Sequence, residues 1–461
     1  MRWHQLEMSE KDDSLIRRLW RGLPLWIPKS RKWGYILSGY LRTIPYMEGR
    51  LFRRFIDNLP TNLCEECFIE YLKEVSRKSL SRVLHQGELF LIYFLDLKVL
   101  GGFDTVLNRK DPFEDYGRDY GTAAKGEMPP DLKRWIKDTV DKIELKEVPF
   151  SFDEFVSFRD GWALPGASVQ GTAKKVVFTD KKGKAAKMRV KNKWFAMLDR
   201  TDEQVVEACK GDDPPLVRPF VKLDEPAACR TVQCYDTYSL IRCSYISQAF
   251  KDFNGKGEWT TIGIGPKDMM QVRKAIFSKN GHWLCTDQSQ FDINQPKEWV
   301  VYALKELYSR VADRNPHMRE MIRIELDSLE NVVLEFNDGT MKWEKGVLSG
   351  YLFTALVDSI LNRAETRVVL ERMGRDDVSF ERYQGDDAIL NLVNWIDRER
   401  VAREYQKLGL EIHPLKTWVT TESTEYLHEI YFKNGGVYGF PARSFRAIAW
   451  SKPVTGLGGE F

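Results

Sequence analysis

The segment Ser379-Phe-Glu-Arg-Tyr-Gln-Gly385-Asp386-Asp387-Ala-Ile-Leu-Asn-Leu-Val393 sets a glycine and two adjacent carboxylates between apolar-rich runs. Such runs on either side of a glycine turn predict a β-hairpin with the acidic pair at its tip. Gly385 permits the tight backbone there. Asp and Gly are common turn residues, so a bland solvated turn accounts for the composition alone. Two neighbouring carboxylates repel one another, however, and a bound cation relieves that cost.

A matching signal lies upstream in Trp283-Leu-Cys-Thr-Asp287-Gln-Ser-Gln-Phe-Asp292, a short strand that ends in Asp287 with a second carboxylate at Asp292. This spacing is common by chance in an acidic chain. Taken with the hairpin, Asp287 and Asp386 can share a pair of Mg²⁺ ions. Mg²⁺ binds few carboxylates and fills its remaining positions with water and phosphate oxygens. That chemistry serves in-line phosphoryl transfer, which depends on positioning and electrostatics.

Between the two acidic strands, Gly346-Val-Leu-Ser349-Gly350-Tyr351 precedes a helix predicted over Leu352 to Met373. Leu352, Leu356 and Ile360, with Phe353, Val357 and Leu361, form a broad apolar face at helical spacing. Thr354, Asp358 and Asn362 stand four residues apart and share another face. A solvated polar stripe is the bland account, but these are short, geometrically definite groups, while the exposed positions nearby use Arg and Glu. Ser349 and Gly350 give a pliable junction suited to close passage of a nucleic acid backbone.

Several cations complete the inventory. Lys222 and Arg230 lie within reach of one extended anionic ligand, although Asp224 and Glu225 offer surface ion pairs as an alternative. Lys416 ends an extended segment, Leu408 to Lys416, and could protonate a leaving group. Residues 1–60 carry twelve Lys/Arg against six Asp/Glu, and residues 170–193 carry nine against one. In the second patch, Lys174-Lys175-Val-Val-Phe-Thr179, a turn over Asp180 to Gly183 and a returning strand with Lys187, Arg189, Lys191 and Lys193 predict a basic hairpin. Two separated patches fit a phosphate-lined groove better than a solvated face.

The bulk numbers are permissive. A chain of 461 residues with 43% apolar and 30% charged residues, net charge +3, is globular and large enough for more than one subdomain. The run Leu89 to Leu95 is too short to span a bilayer and predicts a buried helix. Another helix is predicted over Asp131 to Lys146, closed by Pro149. Seven scattered cysteines, with Cys64 and Cys67 as a lone pair, predict reduced thiols in place of a zinc site, and hence a reducing compartment.

In this order, the motifs resemble those of viral RNA-dependent RNA polymerases, and among them the enzymes of small double-stranded RNA viruses of the partitivirus, picobirnavirus and totivirus kind. The resemblance runs from about Leu164 to Phe432. It is carried by Asp287 to Asp292, Leu348 to Asn362, Tyr383 to Asp387, Gly409 to Lys416 and the strand turn Glu425 to Phe432, with Val221 to Arg230 as the fingers motif and Leu164 to Ser168 as a template-entry loop. It implies an α+β right-hand fold with fingers, palm and thumb, the palm an antiparallel sheet with packed helices. It also implies Asp287 and Asp386 as ligands of Mg²⁺, with Mn²⁺ able to substitute, and Asp387 assisting. Lys416 would be the general acid, and Lys222 and Arg230 would contact the triphosphate. Asp292 would accept a hydrogen bond from the ribose 2′-hydroxyl, with Ser349, Gly350, Thr354, Asp358 and Asn362 around it. Many relatives carry Asn where this helix has Asp358. An ionised Asp only accepts hydrogen bonds, so Asp358 is expected to orient Asn362 or Asp292 and not to bind metal.

The implied partners are RNA template and product, ribonucleoside triphosphates and a capsid protein, with no membrane, in the virion interior or host cytoplasm. The implied divisions are an N-terminal helical region at 1–160, fingers at 161–281 and 301–342, palm at 282–300 and 343–433, and a short thumb or C-terminal segment at 434–461. That last segment is short for a thumb. A minimal thumb, a ring completed by the N-terminal helices and a shortened chain all fit. Two competing functions are a reverse transcriptase, against which Asp292 and Gly385 argue, and a non-catalytic RNA-binding virion protein, against which the full set of acids argues.

Overall fold

The computed structural model describes residues 36–37, 39–40, 43–44, 64–101, 116–123, 127–159, 174–179, 185–190, 197, 200–211, 213–222, 230–250, 259–336, 339–413 and 416–449, with backbone alone for the strand residues 174–179, 185–190, 221–222 and 230. Helix α1 (Glu65–Gln86) and two 3₁₀ turns, Leu89–Phe94 and Leu97–Gly101, lead to α2 (Pro130–Asp141). Strands β1 (Lys174–Thr179) and β2 (Ala185–Val190) form the expected antiparallel hairpin. Then come β3 (Leu216–Lys222), β4 (Arg230–Cys234), β5 (His282–Thr286), α3 (Lys297–Arg314), α4 (Arg319–Glu330), β6 (Val333–Phe336) and β7 (Gly339–Lys342). The remainder is α5 (Thr354–Arg372), β8 (Val378–Gln384), β9 (Asp387–Leu392), β10 (Trp418–Thr420), β11 (Ser423–Tyr426), β12 (Glu429–Phe432), β13 (Val437–Gly439) and α6 (Pro441–Ala449).

The central sheet has the order β10-β5-β9-β8 and is antiparallel throughout. Side chains alternate across it, as the pleat requires. Leu284, Leu390 and Leu392 enter a core shared with α3, α4 and α5. Trp283, Cys285 and Ile389 enter a second core built from α1, the two 3₁₀ turns and the start of α6. Burial on both faces explains why β9 reads as a nearly continuous apolar run. A second sheet, β4-β3-β6-β7, forms because β6 joins β3 in parallel, and β11-β12-β13 is a small meander.

Helix α5 is buried on almost every side. It docks on α2 through Arg372–Asp131 at 2.7 Å, Arg363–Asp138 at 2.9 Å and Trp135 Nε1 donating to Glu371 at 2.6 Å. The helix predicted from Leu352 begins instead at Thr354, and Leu352 lies outside its apolar face at 44% exposure. A preceding turn, Tyr351 N to Leu348 O at 2.8 Å, takes up those residues. The helix predicted to Lys146 ends at Asp141, because the amides of Lys146 and Val148 bond to Ala249 O and Asn315 Oδ1, each at 2.8 Å. Tertiary partners there outcompete helical ones. The run from Leu89 forms a buried 3₁₀ turn. Cys64, Cys67, Cys209, Cys234, Cys243 and Cys285 are free thiols, and Cys229 lies outside the described residues. Among the described residues no helix is long and apolar enough to cross a membrane.

Candidate active site

The acidic residues meet through strand register. β5 pairs with β9 so that Thr286 faces Ala388. Asp287 directly follows Thr286 and Asp387 directly precedes Ala388, and the two carboxylates lie close enough to interact electrostatically. Gln384 faces Asp387 across β8 and β9, leaving Gly385 and Asp386 as the two-residue turn, with Gly385 at φ 62. Positive φ at the first turn position is the geometry glycine adopts without strain.

Helix α5 braces that turn from below. Asn362 Nδ2 donates to the carbonyls of Gly385 and Asp386, both at 2.9 Å, and Ser359 Oγ accepts from Gly385 N at 2.8 Å. Asn362 is thereby committed to shaping the acidic hairpin.

Asp287, Asp386 and Asp387 line one cavity of about 460 Å³, together with Lys416 and Glu425. Burial, then the charges of Asp386 and Asp287, pushes the Asp387 carboxyl up to about 7. Burial, then Asp387, pushes Glu425 up to about 8. Lys416 Nζ lies 2.7 Å from Asp287 Oδ2 and draws that carboxylate toward itself. Among the described residues no three acidic, cysteine or histidine groups already converge as a metal cage. The donors are nonetheless all carboxylate oxygens, crowded enough to raise the proton affinity of Asp387 and Glu425. That set fits a hard divalent cation whose other ligands are water and substrate phosphate.

The ribose-side residues are placed unevenly. Asp292 sits in the turn Phe291–Asn294, and its carbonyl accepts from Val347 N at 2.6 Å. Asp358 is 5% exposed, and its Oδ1 has no hydrogen-bond partner. Burial, then Asp292, Asp386 and Glu365, holds its carboxyl well above the usual range. Proton binding at Asp358 is thus favoured relative to the ionised form expected from sequence. Asn362 Oδ1 is approached by Thr366 at 3.5 Å, so its orientation is set by the hairpin and Thr366. Thr354 Oγ1 is spent on the carbonyls of Leu348 and Tyr351, at 2.8 and 2.7 Å. Ser349 N donates to Gln233 Oε1 at 3.0 Å, and its hydroxyl bonds the same oxygen. A Cβ on Gly350 would collide with the Gln233 carbonyl, so this position admits only glycine. Gln233, on β4, thus ties this loop to the second sheet, and no sequence pattern marked it.

Lys222 and Arg230 stand opposite one another across β3 and β4. In the basic hairpin Lys175 faces Arg189, Lys174 faces Val190 and Lys187 faces Val177. These are backbone placements. Lys191, Lys193 and the loop Leu164 to Ser168 lie outside the described residues. Lys73, Arg77, Lys98 and Arg443 also line the acidic cavity. The sequence singles out none of these four as a site residue.

A family model described as viral RNA-dependent RNA polymerase matches residues 177–452, well over half of the chain. The chain belongs to this family: it is an RNA-dependent RNA polymerase, a nucleotidyltransferase of a class that works with divalent metal ions. Among solved structures, similarity is found to a sicinivirus 3Dpol RNA-dependent RNA polymerase, with 15% identity, TM-score 0.48 and coverage of 71% of this chain and 73% of that one. The insertion-loop deletion mutant of a human picobirnavirus RNA-dependent RNA polymerase is similar at 14% identity, TM-score 0.49 and coverage of 88% and 75%. No curated protein sequence matches the chain.

Proposed function

We propose that the chain copies an RNA template by two-metal-ion nucleotidyl transfer and serves replication and transcription of a viral RNA genome. The observation that carries this is one cavity lined by Asp287, Asp386 and Asp387, with the Asp386 turn clamped by Asn362. Asp287 and Asp386 would hold Mg²⁺ or Mn²⁺, with Asp387 assisting. When bound, the ions supply activation of the 3′-hydroxyl and neutralisation of the pyrophosphate charge.

The chain's own groups do the rest. Lys416, beside Asp287, delivers a proton to the leaving pyrophosphate. Asp292 accepts from the ribose 2′-hydroxyl, and Asp358, in its protonated form, donates as an asparagine would. Lys222 and Arg230 hold the triphosphate, and the β1–β2 hairpin follows the RNA backbone. In this scheme the palm is 282–300 and 343–433, the fingers 161–281 and 301–342, and the flanking segments 1–160 and 434–461 close around the palm. Support for that closure is the second core, where α1 and α6 pack on one face of the central sheet.

The experiment is extension of a defined RNA template, with and without primer, in Mg²⁺ or Mn²⁺. Ribonucleotide incorporation that is lost on chelation supports the scheme. Incorporation that persists in chelator removes it.

A further inference from the structure

The cavity that holds the carboxylates has a second wall, to which the segment before the matched one contributes three cations. Helix α1 presents Lys73, Ser76 and Arg77 to it, at the spacing that puts side chains on one helical face. Lys98 follows from the 3₁₀ turn Leu97–Gly101, and Arg443 comes from α6. One small space is thus lined by Asp96, Asp287, Asp386, Asp387 and Glu425 together with Lys73, Arg77, Lys98, Lys416 and Arg443.

Among the described residues two of these cations lack a direct ion pair. Arg443 pairs with Asp96, and Lys73 reaches Glu70 at 2.5 Å, away from the cavity. Among the described residues neither Arg77 nor Lys98 has a carboxylate within ion-pair distance. Lys98 is half-buried and feels Lys73, Arg443 and Lys416 as well as Asp96, while burial further disfavours its charge. Gathering like charges in a desolvated place costs free energy, and a polyanion entering from solvent offsets it.

The same wall collects backbone strain. Asp96 has φ 56, and the tight β11–β12 turn puts Leu427 and His428 at φ 53 and 60. Asp96 and His428 both line the cavity. Non-glycine residues in the left-handed region persist where the surroundings over-determine them, commonly at ligand sites. A solvated helical face would explain Arg77 alone, but it does not explain a half-buried Lys98 or the convergence of strain.

We propose that Arg77 and Lys98, with Lys73 beside them, form a phosphate-binding wall for the RNA end or nucleotide that supplies the attacking 3′-hydroxyl. This rests on the placement of that hydroxyl at Asp287 and Asp386. Reaching across the cavity, the wall holds the donor of the hydroxyl by its phosphates while the carboxylate side holds the reacting atoms. The N-terminal region then contributes to substrate positioning as well as to packing.

The test is equilibrium binding of a fluorescent primer–template RNA, and separately of inorganic tripolyphosphate, to the full chain over a range of salt. Arg77→Gln and Lys98→Gln are compared with the charge-keeping Arg77→Lys and Lys98→Arg. Loss of the charges should weaken binding roughly tenfold and reduce the salt slope by about one per lost contact, with recovery in the charge-keeping pair. Weakening of the primer–template complex alone identifies phosphodiesters as the ligand. Weakening of tripolyphosphate alone identifies the triphosphate of an initiating nucleotide. Unchanged affinity and slope in both neutral variants overturn the proposal, and so does a loss that the charge-keeping variants fail to recover. Binding needs no turnover, so a parent that binds through these cations but never incorporates nucleotides removes the catalytic scheme and leaves the phosphate wall standing.

Discussion

Lys416 and Asp287 are joined at 2.7 Å, the ammonium of one on the carboxylate of the other, at the mouth of the acidic cavity. The lysine is about 41% exposed, so the pair adds little to stability. Its consequence is positional: the lysine proposed as proton donor lies beside the residue proposed to hold the metal.

Lys416→Met should therefore slow single-turnover incorporation by about a hundredfold or more, the scale of a lost general acid. Primer–template affinity should stay near that of the parent. A single-turnover rate within threefold of the parent would return Lys416 to a simple counter-ion of Asp287.

Asn362→Leu tests the brace under the hairpin. It leaves the carbonyls of Gly385 and Asp386 without the two 2.9 Å bonds they now accept. Each lost hydrogen bond costs about 0.5–1.5 kcal/mol, and the turn that carries Asp386 loosens. Chemical denaturation and incorporation should fall together. Lost stability with undiminished turnover would show that the turn holds its shape alone.

Much of this site was legible from sequence because it is local. The Gly385 turn, the strand ending at Asp287 and the long helix after Gly350 each follow from spacing and turn chemistry. What escaped depends on packing between distant segments. Whether Asp358 is charged is decided by burial beside Asp292 and Asp386, which its place on a polar stripe cannot reveal. Gln233 matters only because β4 lies against Ser349 and Gly350. Lys73, Arg77 and Lys98 reach the cavity because α1 packs on the second face of the sheet, a contact with no trace in local pattern. The helix expected to reach Lys146 stops early for the same reason.

Asp358, whose carboxyl burial holds above the usual range, gives a sharper prediction. Asp358→Asn keeps shape, donor and acceptor, so ribonucleotide over deoxyribonucleotide selectivity in kcat/KM should stay within about threefold. Asp292→Ala removes the proposed direct acceptor and should collapse that ratio. If Asp358→Asn collapses it equally, a negative charge is required at this position.

Glu365 connects the buried acids to pH. It is fully buried, accepts from Gln288 Nε2 at 2.7 Å, and burial pushes its carboxyl from an ordinary 4.5 up to about 8. The folded state therefore holds this proton more tightly than the unfolded one. Stability should fall as pH rises from about 4.5 to 8, by up to about 1.4 kcal/mol per pH unit for one such group. Glu365→Gln should flatten that slope in thermal melts between pH 5 and 8. An identical slope in the variant would mean that other groups set it.

The most direct test of the central claim is Mg²⁺-dependent ribonucleotide incorporation on a primed RNA template by the parent and by Asp287→Ala and Asp386→Ala. Circular dichroism and RNA binding should confirm that each variant is folded. The two-metal assignment predicts incorporation by the parent and loss of nearly all of it in both variants, since a lost ligand removes transition-state charge stabilisation and not core packing. Turnover near the parent's in either folded variant would contradict it.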